Sequence, residues 1–232
     1  MIKKCDLNEA AKIASGVINN LLAAPGSSAA GLAGSQLRWD GGQLLAGIAS
    51  QLLPSADGTQ GTFWGNLWTI FEDARAAGAD YASIDSVRVA VEALSTPYGL
   101  LGLAVQNIAI RYALAELAQI LAAQAFVSRD DIDSALIGIN AAFETAEETA
   151  ADSFDSAAYQ ALISLHAAVA EDLSNREQTL PRLINISFAT PLPALFIAQM
   201  IYQDGTRAAE IVAENKAPHP LFMPMSIRAL SL

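Results

Sequence analysis

Residues 183–232 read LINISFATPLPALFIAQMIYQDGTRAAEIVAENKAPHPLFMPMSIRALSL, and the pattern changes several times within that stretch. Leu183 to Phe188 approaches the period-two alternation of a strand. Pro191 and Pro193 follow, and Pro193 suits the first turn of a helix running from Leu192 to Tyr202. Asp204-Gly205 makes a turn, and Thr206 is placed to cap a second helix that ends near Asn215. Pro218, His219, Pro220 and Pro224 then hold an extended loop. Ile227, Ala229 and Ser231 alternate with Arg228, Leu230 and Leu232, which predicts a short final strand. The expectation is a small β-α-α-β module over residues 181–232.

Upstream, residues 1–180 predict a helical domain. Asp6 and Glu9 look like a capping box, with Asp6 in the cap role and a helix running to Leu22. Pro25-Gly26-Ser27-Ser28 breaks it, and the Gly- and Ser-rich residues 25–35 read as a flexible connection. A second helix over 41–53 ends at Pro54, and residues 54–61 are loop. Thr62 to Ala77 carries Phe63, Trp64, Leu67, Trp68 and Phe71 on one broad face. That face reads as a helix–helix contact, with an aromatic binding platform as the competing reading. A further helix follows Ser83 to Leu94, and Thr96-Pro97 opens a long central one.

Two apolar stripes come next. Ser128 with Asp131 looks like a cap. Ile132, Leu136, Ile139, Phe143, Ala146 and Ala150 then step four, three, four, three, four. After a break at Ser153 to Asp155, Phe154, Ala158, Leu162, Leu165, Val169 and Leu173 form the second stripe. Long antiparallel helices in a bundle follow, so the fold class is mainly α, a helical bundle followed by the small β-α-α-β module. Such stripes also suit partner helices from neighbouring copies.

Composition narrows the function. The chain has 13 basic and 24 acidic residues, a net charge of −11. A negative surface repels phosphate backbones and anionic membranes, so neither nucleic acid nor membrane is expected as a partner. Met1-Ile2-Lys3-Lys4 resembles a signal n-region. Asp6 and Glu9 follow where an apolar segment would begin, so no signal peptide is expected. Leu100 to Val127 is the most apolar stretch. Gln106, Asn107, Arg111, Glu116, Gln119 and Gln124 interrupt it all round, which argues for a buried helix rather than a membrane span.

No catalytic constellation stands out. The glycine-rich, nucleophile-elbow and zinc-helix motifs are absent, and Gly58, Gly61 and Gly65 have neither a preceding strand nor a following lysine. With a single cysteine, Cys5, no intrachain disulfide can form, and nothing around it marks a nucleophile. His166 reads as a satisfied helix histidine. His219, between two prolines, is expected to donate a hydrogen bond that fixes its loop. No metal site and no cofactor are expected. Asp130, Asp131 and Asp133 complement a helix N-terminus. Glu144, Glu147, Glu148, Asp152 and Asp155 form an acidic face with no basic or histidine partner spaced to work with them. That face could choose a partner by charge.

The C-terminal residues also carry a resemblance. Ala194-Leu195 through Tyr202-x-Asp204, then Arg207-Ala208-x-Glu210-Ile211-Val212, Asn215 and His219-Pro220-x-Phe222-x-Pro224, resemble the C-terminal end of the Mu-like bacteriophage DNA circularisation proteins. These are tail proteins linked to baseplate assembly. The same segment is similar to a LysM module, whose second helix ends in Asn and whose last strand follows a Pro-bearing loop. The resemblance implies that Tyr202, Asp204, Arg207, Glu210, Asn215, His219, Pro220, Phe222 and Pro224 form the module's framework and are not catalysts. The β-rich domain that opens the family's larger members has no visible counterpart here.

The expected function is structural: a component of a phage or phage-like contractile tail, in the virion baseplate and in the host cytoplasm during assembly. Its expected partners are other tail and baseplate proteins, with a homo-oligomer as a further possibility, and it is not expected to be an enzyme. The alternatives are a peptidoglycan-binding LysM-type module, with a groove between Thr190–Leu192 and the His219 loop, and a cell-wall hydrolase using Glu147 or Glu148.

Overall fold

Alanine and leucine favour helix wherever Pro and Gly do not interrupt them. The computed structural model describes residues 4–26, 29–56 (side chains to 53) and 62–231. Among these, the chain is mainly helical with one small two-stranded sheet. The elements are α1 (Lys4–Ala23), α2 (Leu32–Ala56), α3 (Thr62–Ala76), α4 (Tyr81–Glu92), α5 (Leu100–Ala123), α6 (Arg129–Asp152), α7 (Ser156–Glu177), β1 (Leu183–Ser187), α8 (Ala194–Tyr202), α9 (Ala208–Glu214) and β2 (Ser226–Leu230). A 3₁₀ turn, Gly205–Arg207, separates α8 from α9. Two compact units result: Met1–Gln124 with Gly138–Ala170, and Ala125–Ile137 with Glu171–Leu232.

In the first unit, α5 packs against α1, α3 and α4, while α2 packs against α1 and α3. Phe63, Leu67, Ile70 and Phe71 of α3 are buried, and Trp68 meets Tyr112 edge-on at 5.2 Å. The aromatic stripe is therefore a helix–helix contact, and the platform reading is overturned. Three polar residues of α5 are engaged within the same unit. Gln106 donates to Val91 O at 3.0 Å, Arg111 pairs with Asp155 at 3.0 Å, and Glu116 pairs with Arg75 at 2.6 Å.

Several helix starts differ from the sequence reading. Asp6 lies inside α1, which also contains Cys5. Glu9 does not cap its own helix. It accepts from Tyr98 N at 3.2 Å and Gly99 N at 2.9 Å, occupying main-chain donors just ahead of α5, whose Gly99 cap has no side chain to do so. Helix α2 begins at Leu32, not 41, so the flexible connection expected over 25–35 is already helical by its end. Gly31, at φ +98°, makes the turn, and Arg38 ties back to Ala29 O at 3.0 Å. Gly41 lies inside this helix, where α1 packs close. A Cβ there would stand 2.9 Å from Leu22 Cδ2. The helix also passes Pro54, whose missing N–H costs one bond of a last turn. Of the loop expected over 54–61, residues 57–61 lie outside the described residues. Helix α4 starts at Tyr81, ahead of Ser83, and Asp80 caps it. Its side chain accepts from Ser83 N, and Ser83 Oγ accepts from Asp80 N, both at 2.9 Å.

The cap at Ser128 and Asp131 forms as expected, with Asp131 N donating to Ser128 Oγ at 3.2 Å and Ser128 N to Asp131 Oδ2 at 3.1 Å. On α6, Ile139, Ala142, Phe143, Ala146 and Ala150 are buried. On α7, Leu162 and Val169 are buried, but Phe154 is 90% exposed and leaves the stripe. It sits in the turn at φ 55°, where its side chain points off the helix face.

In the second unit, β1 and β2 pair antiparallel, with Asn185 opposite Arg228. Ile197, Ala198, Ile211, Met223, Ile227 and Ala229 form its core, with Ile186 of the first strand and Phe188 just past its end packed against them. Asp204, not Thr206, caps the 3₁₀ turn, accepting from Thr206 N at 2.9 Å.

Candidate functional site

A two-stranded sheet exposes two edges, and each unpaired main-chain group needs a partner. The outer edge of β2 is closed by two side chains, Asn215 and Tyr202. Asn215, at the end of α9, donates from Nδ2 to Arg228 O at 2.7 Å and accepts Arg228 N on Oδ1 at 2.7 Å. The same Nδ2 reaches Ile211 O at 2.8 Å. One rung further on, Leu230 N donates to the Tyr202 hydroxyl at 2.9 Å. Burial raises the Tyr202 pKa above its ordinary value, so the phenol remains neutral. The Arg207 guanidinium lies 3.7 Å from the centre of the Tyr202 ring and pairs with both Glu210 oxygens at 3.0 and 2.7 Å.

The loop residues divide differently. Pro220 O accepts Ala194 N at 2.7 Å, serving the first donor of α8, whose cap, Pro193, provides none. His219 does not donate as expected. Its Nδ1 accepts Leu221 N at 3.1 Å, which leaves a proton for Nε2. Phe222 and Pro224 are exposed on either side of buried Met223. Met223 N donates to Leu192 O at 3.2 Å. The Thr190–Leu192 and His219 loops are thus joined main chain to main chain. A groove of about 540 Å³ opens instead beside Tyr202, Glu210, Lys216 and Arg228, with Val127 and Ile211 on its walls. Its charges are mixed, and its lining holds no nucleophile with a base beside it.

The first unit holds a constellation that the sequence reading missed. His166 Nδ1 lies 2.9 Å from Glu147 Oε1, and Nε2 lies 3.0 Å from Asn140 Oδ1. The ring stacks on Phe143 at 4.8 Å and 7°. The expectation that no histidine works with the acidic face is therefore corrected. The pair is separated by 19 residues and meets only because the chain reverses between α6 and α7. Both ring nitrogens are occupied, so neither is open to take a proton from a substrate. The cluster pins two helices together. Glu148 points away to solvent, as adjacent helix positions must. The described residues contain no group of three or more His, Cys, Asp or Glu that could hold a metal ion.

Asp73 of α3 was also missed. One of its oxygens is buried with no donor facing it, and burial with Asp40 beside it raises its pKa to about 6. A raised carboxyl pKa means the folded state binds the extra proton, so stability falls as pH climbs from the unfolded value near 4 through about 6. Asp73→Asn is expected to stabilise the protein by about 1–2 kcal/mol at pH 8, discounted for partial exposure, and to change little at pH 4. Thermal melts at the two pH values test this; equal shifts at both would rule out a titrating Asp73 as the cause.

The chain matches no protein-family model and no curated protein.

Proposed function

We propose that this protein is a structural component of a phage or phage-like contractile tail, acting in baseplate or hub assembly through protein–protein contacts. The supporting observation is α8. Its sequence, ALFIAQMIY, is apolar nearly all round, and Ala194, Ile197, Ala198 and Tyr202 already fill the unit's core. Leu195, Phe196 and Met200 remain exposed on the other side, with no charge from Pro191 to Gln203. A helix apolar on both sides is built to be covered on both. The resemblance of residues 194–224 to the tail proteins supplies the setting. The order β1, α8, α9, β2 is that of a LysM-like module, and Tyr202 and Asn215 act as its framework. An enzyme is not proposed, because His166 and Glu147 bind each other and Glu148 stands apart.

The peptidoglycan reading is the weaker one. A glycan in the groove between the Thr190–Leu192 and His219 loops needs free main-chain donors and acceptors, and the two loops already bond to each other. Immunogold labelling of intact purified tails is the decisive measurement. Label on the tail end is expected; its absence from intact particles removes the tail assignment. Sedimentation with insoluble peptidoglycan is expected to leave the protein in the supernatant.

A further inference from the structure

The turn between α6 and α7 breaks a local rule. Asp155 N bonds Ala150 O at 3.0 Å and Phe154 N bonds Ala151 O at 3.0 Å, the paired bonds of a Schellman helix end. The left-handed position of that motif belongs to glycine. Here it is Phe154, at φ 55° and 90% exposed. A bulky side chain is disfavoured in that backbone region, and an aromatic ring in water is disfavoured again. Two local preferences broken at one residue, with no ring partner for it among the described residues, point toward function. Its sequence neighbours Ala151, Ser153, Ser156 and Ala157 are small, so the ring stands out as a knob.

We infer that Phe154 is an aromatic anchor that enters an apolar socket rimmed by Lys or Arg on a partner protein. The charge around it selects that partner. Glu148 and Asp152 are exposed within the last turns of α6 and make no ion pair among the described residues, while Asp155 is engaged by Arg111 at 3.0 Å. No lysine or arginine occurs between Asp130 and Asn175. A cationic rim is attracted and oriented by this end of the hairpin, and an acidic surface, including a second copy of this −11 chain, is repelled. An aromatic side chain buried in a pocket within a polar rim is a common form of interface anchor.

The knob extends the protein–protein reading but does not depend on the tail: immunogold can fail while the knob still binds, and the reverse. Two measurements test it. Phe154→Gly is expected to raise Tm by about 2–4 °C, because glycine fits the left-handed position. A fall in Tm would mean that Phe154 packs within the protein, and would overturn the inference. A benzophenone side chain at position 154 of the full chain, irradiated in producing cells, is expected to give one main adduct. Its cross-linked peptide carries Lys or Arg beside apolar residues, and the yield drops at least tenfold with Glu148→Lys and Asp152→Lys together. No adduct, an adduct to a second copy of this chain, or a yield unchanged by the charge reversals would each overturn it.

Discussion

Arg75→Ala is expected to lower the unfolding free energy by about 3 kcal/mol, because it leaves a carboxylate buried without the counter-charge that faces it. Glu116 is fully buried on α5, and its Oε2 takes the Arg75 Nε–H at 2.6 Å. Its other oxygen has no partner among the described residues. The figure sits at the low end for a broken buried pair because 38% of the Arg75 side chain already faces water, which can follow into the gap. Burial raises the Glu116 pKa and Arg75 opposes the rise. Removing Arg75 therefore raises it further, the folded state binds its proton more tightly, and the loss grows as pH rises. Urea midpoints at pH 5 and pH 8 should show a larger deficit at pH 8. Arg75→Leu with Glu116→Leu should recover most of it, since two apolar groups carry no desolvation cost. Wild-type midpoints for Arg75→Ala at both pH values would mean that the pair carries no weight.

Much of the fold was legible because it rests on local signals. The stripe through Ile132, Ile139, Phe143 and Ala150 and the reciprocal cap at Ser128 and Asp131 are written within a few residues of one another. Most of the misses at polar residues have one cause, a partner distant in sequence. Glu9 looked like a capping-box residue until α5 brought two main-chain donors to it. A start of α2 at 41 follows from the Gly- and Ser-rich residues that precede it, yet the chain is helical from Leu32. His166 and Glu147 could not be paired without knowing where the hairpin turns. Asp73 gave no signal, and Glu116 stood out only as a charge in an apolar helix, since a carboxylate on a helix looks solvated until a neighbouring helix covers it. Phe154 was counted into a stripe because its spacing fits. Its left-handed backbone, which takes it out of the stripe, has no spacing signature.

Asn215→Ala is expected to cost about 2–3 kcal/mol within the C-terminal unit and to free the outer edge of β2. Three hydrogen bonds leave together: two from Nδ2, to Ile211 O at 2.8 Å and Arg228 O at 2.7 Å, and one from Arg228 N to Oδ1 at 2.7 Å. Asparagine is suited to this place because its amide offers the donor and the acceptor that a further strand would offer. Asn215→Asp should not rescue the loss. A carboxylate keeps the acceptor for Arg228 N but turns a second oxygen toward two carbonyls. Tyr202→Phe should do less, removing only the acceptor for Leu230 N. Amide hydrogen exchange separates these cases. In Asn215→Ala the Arg228 amide should lose protection first, while buried amides of α5 keep theirs, because the opening is local. An Arg228 amide as protected as in the wild type would show that this side chain does not hold the edge. Loss at Arg228 and Leu230 together would show that the two plugs act as one, with the Tyr202–Arg207–Glu210 cluster bracing the strand from the helix side.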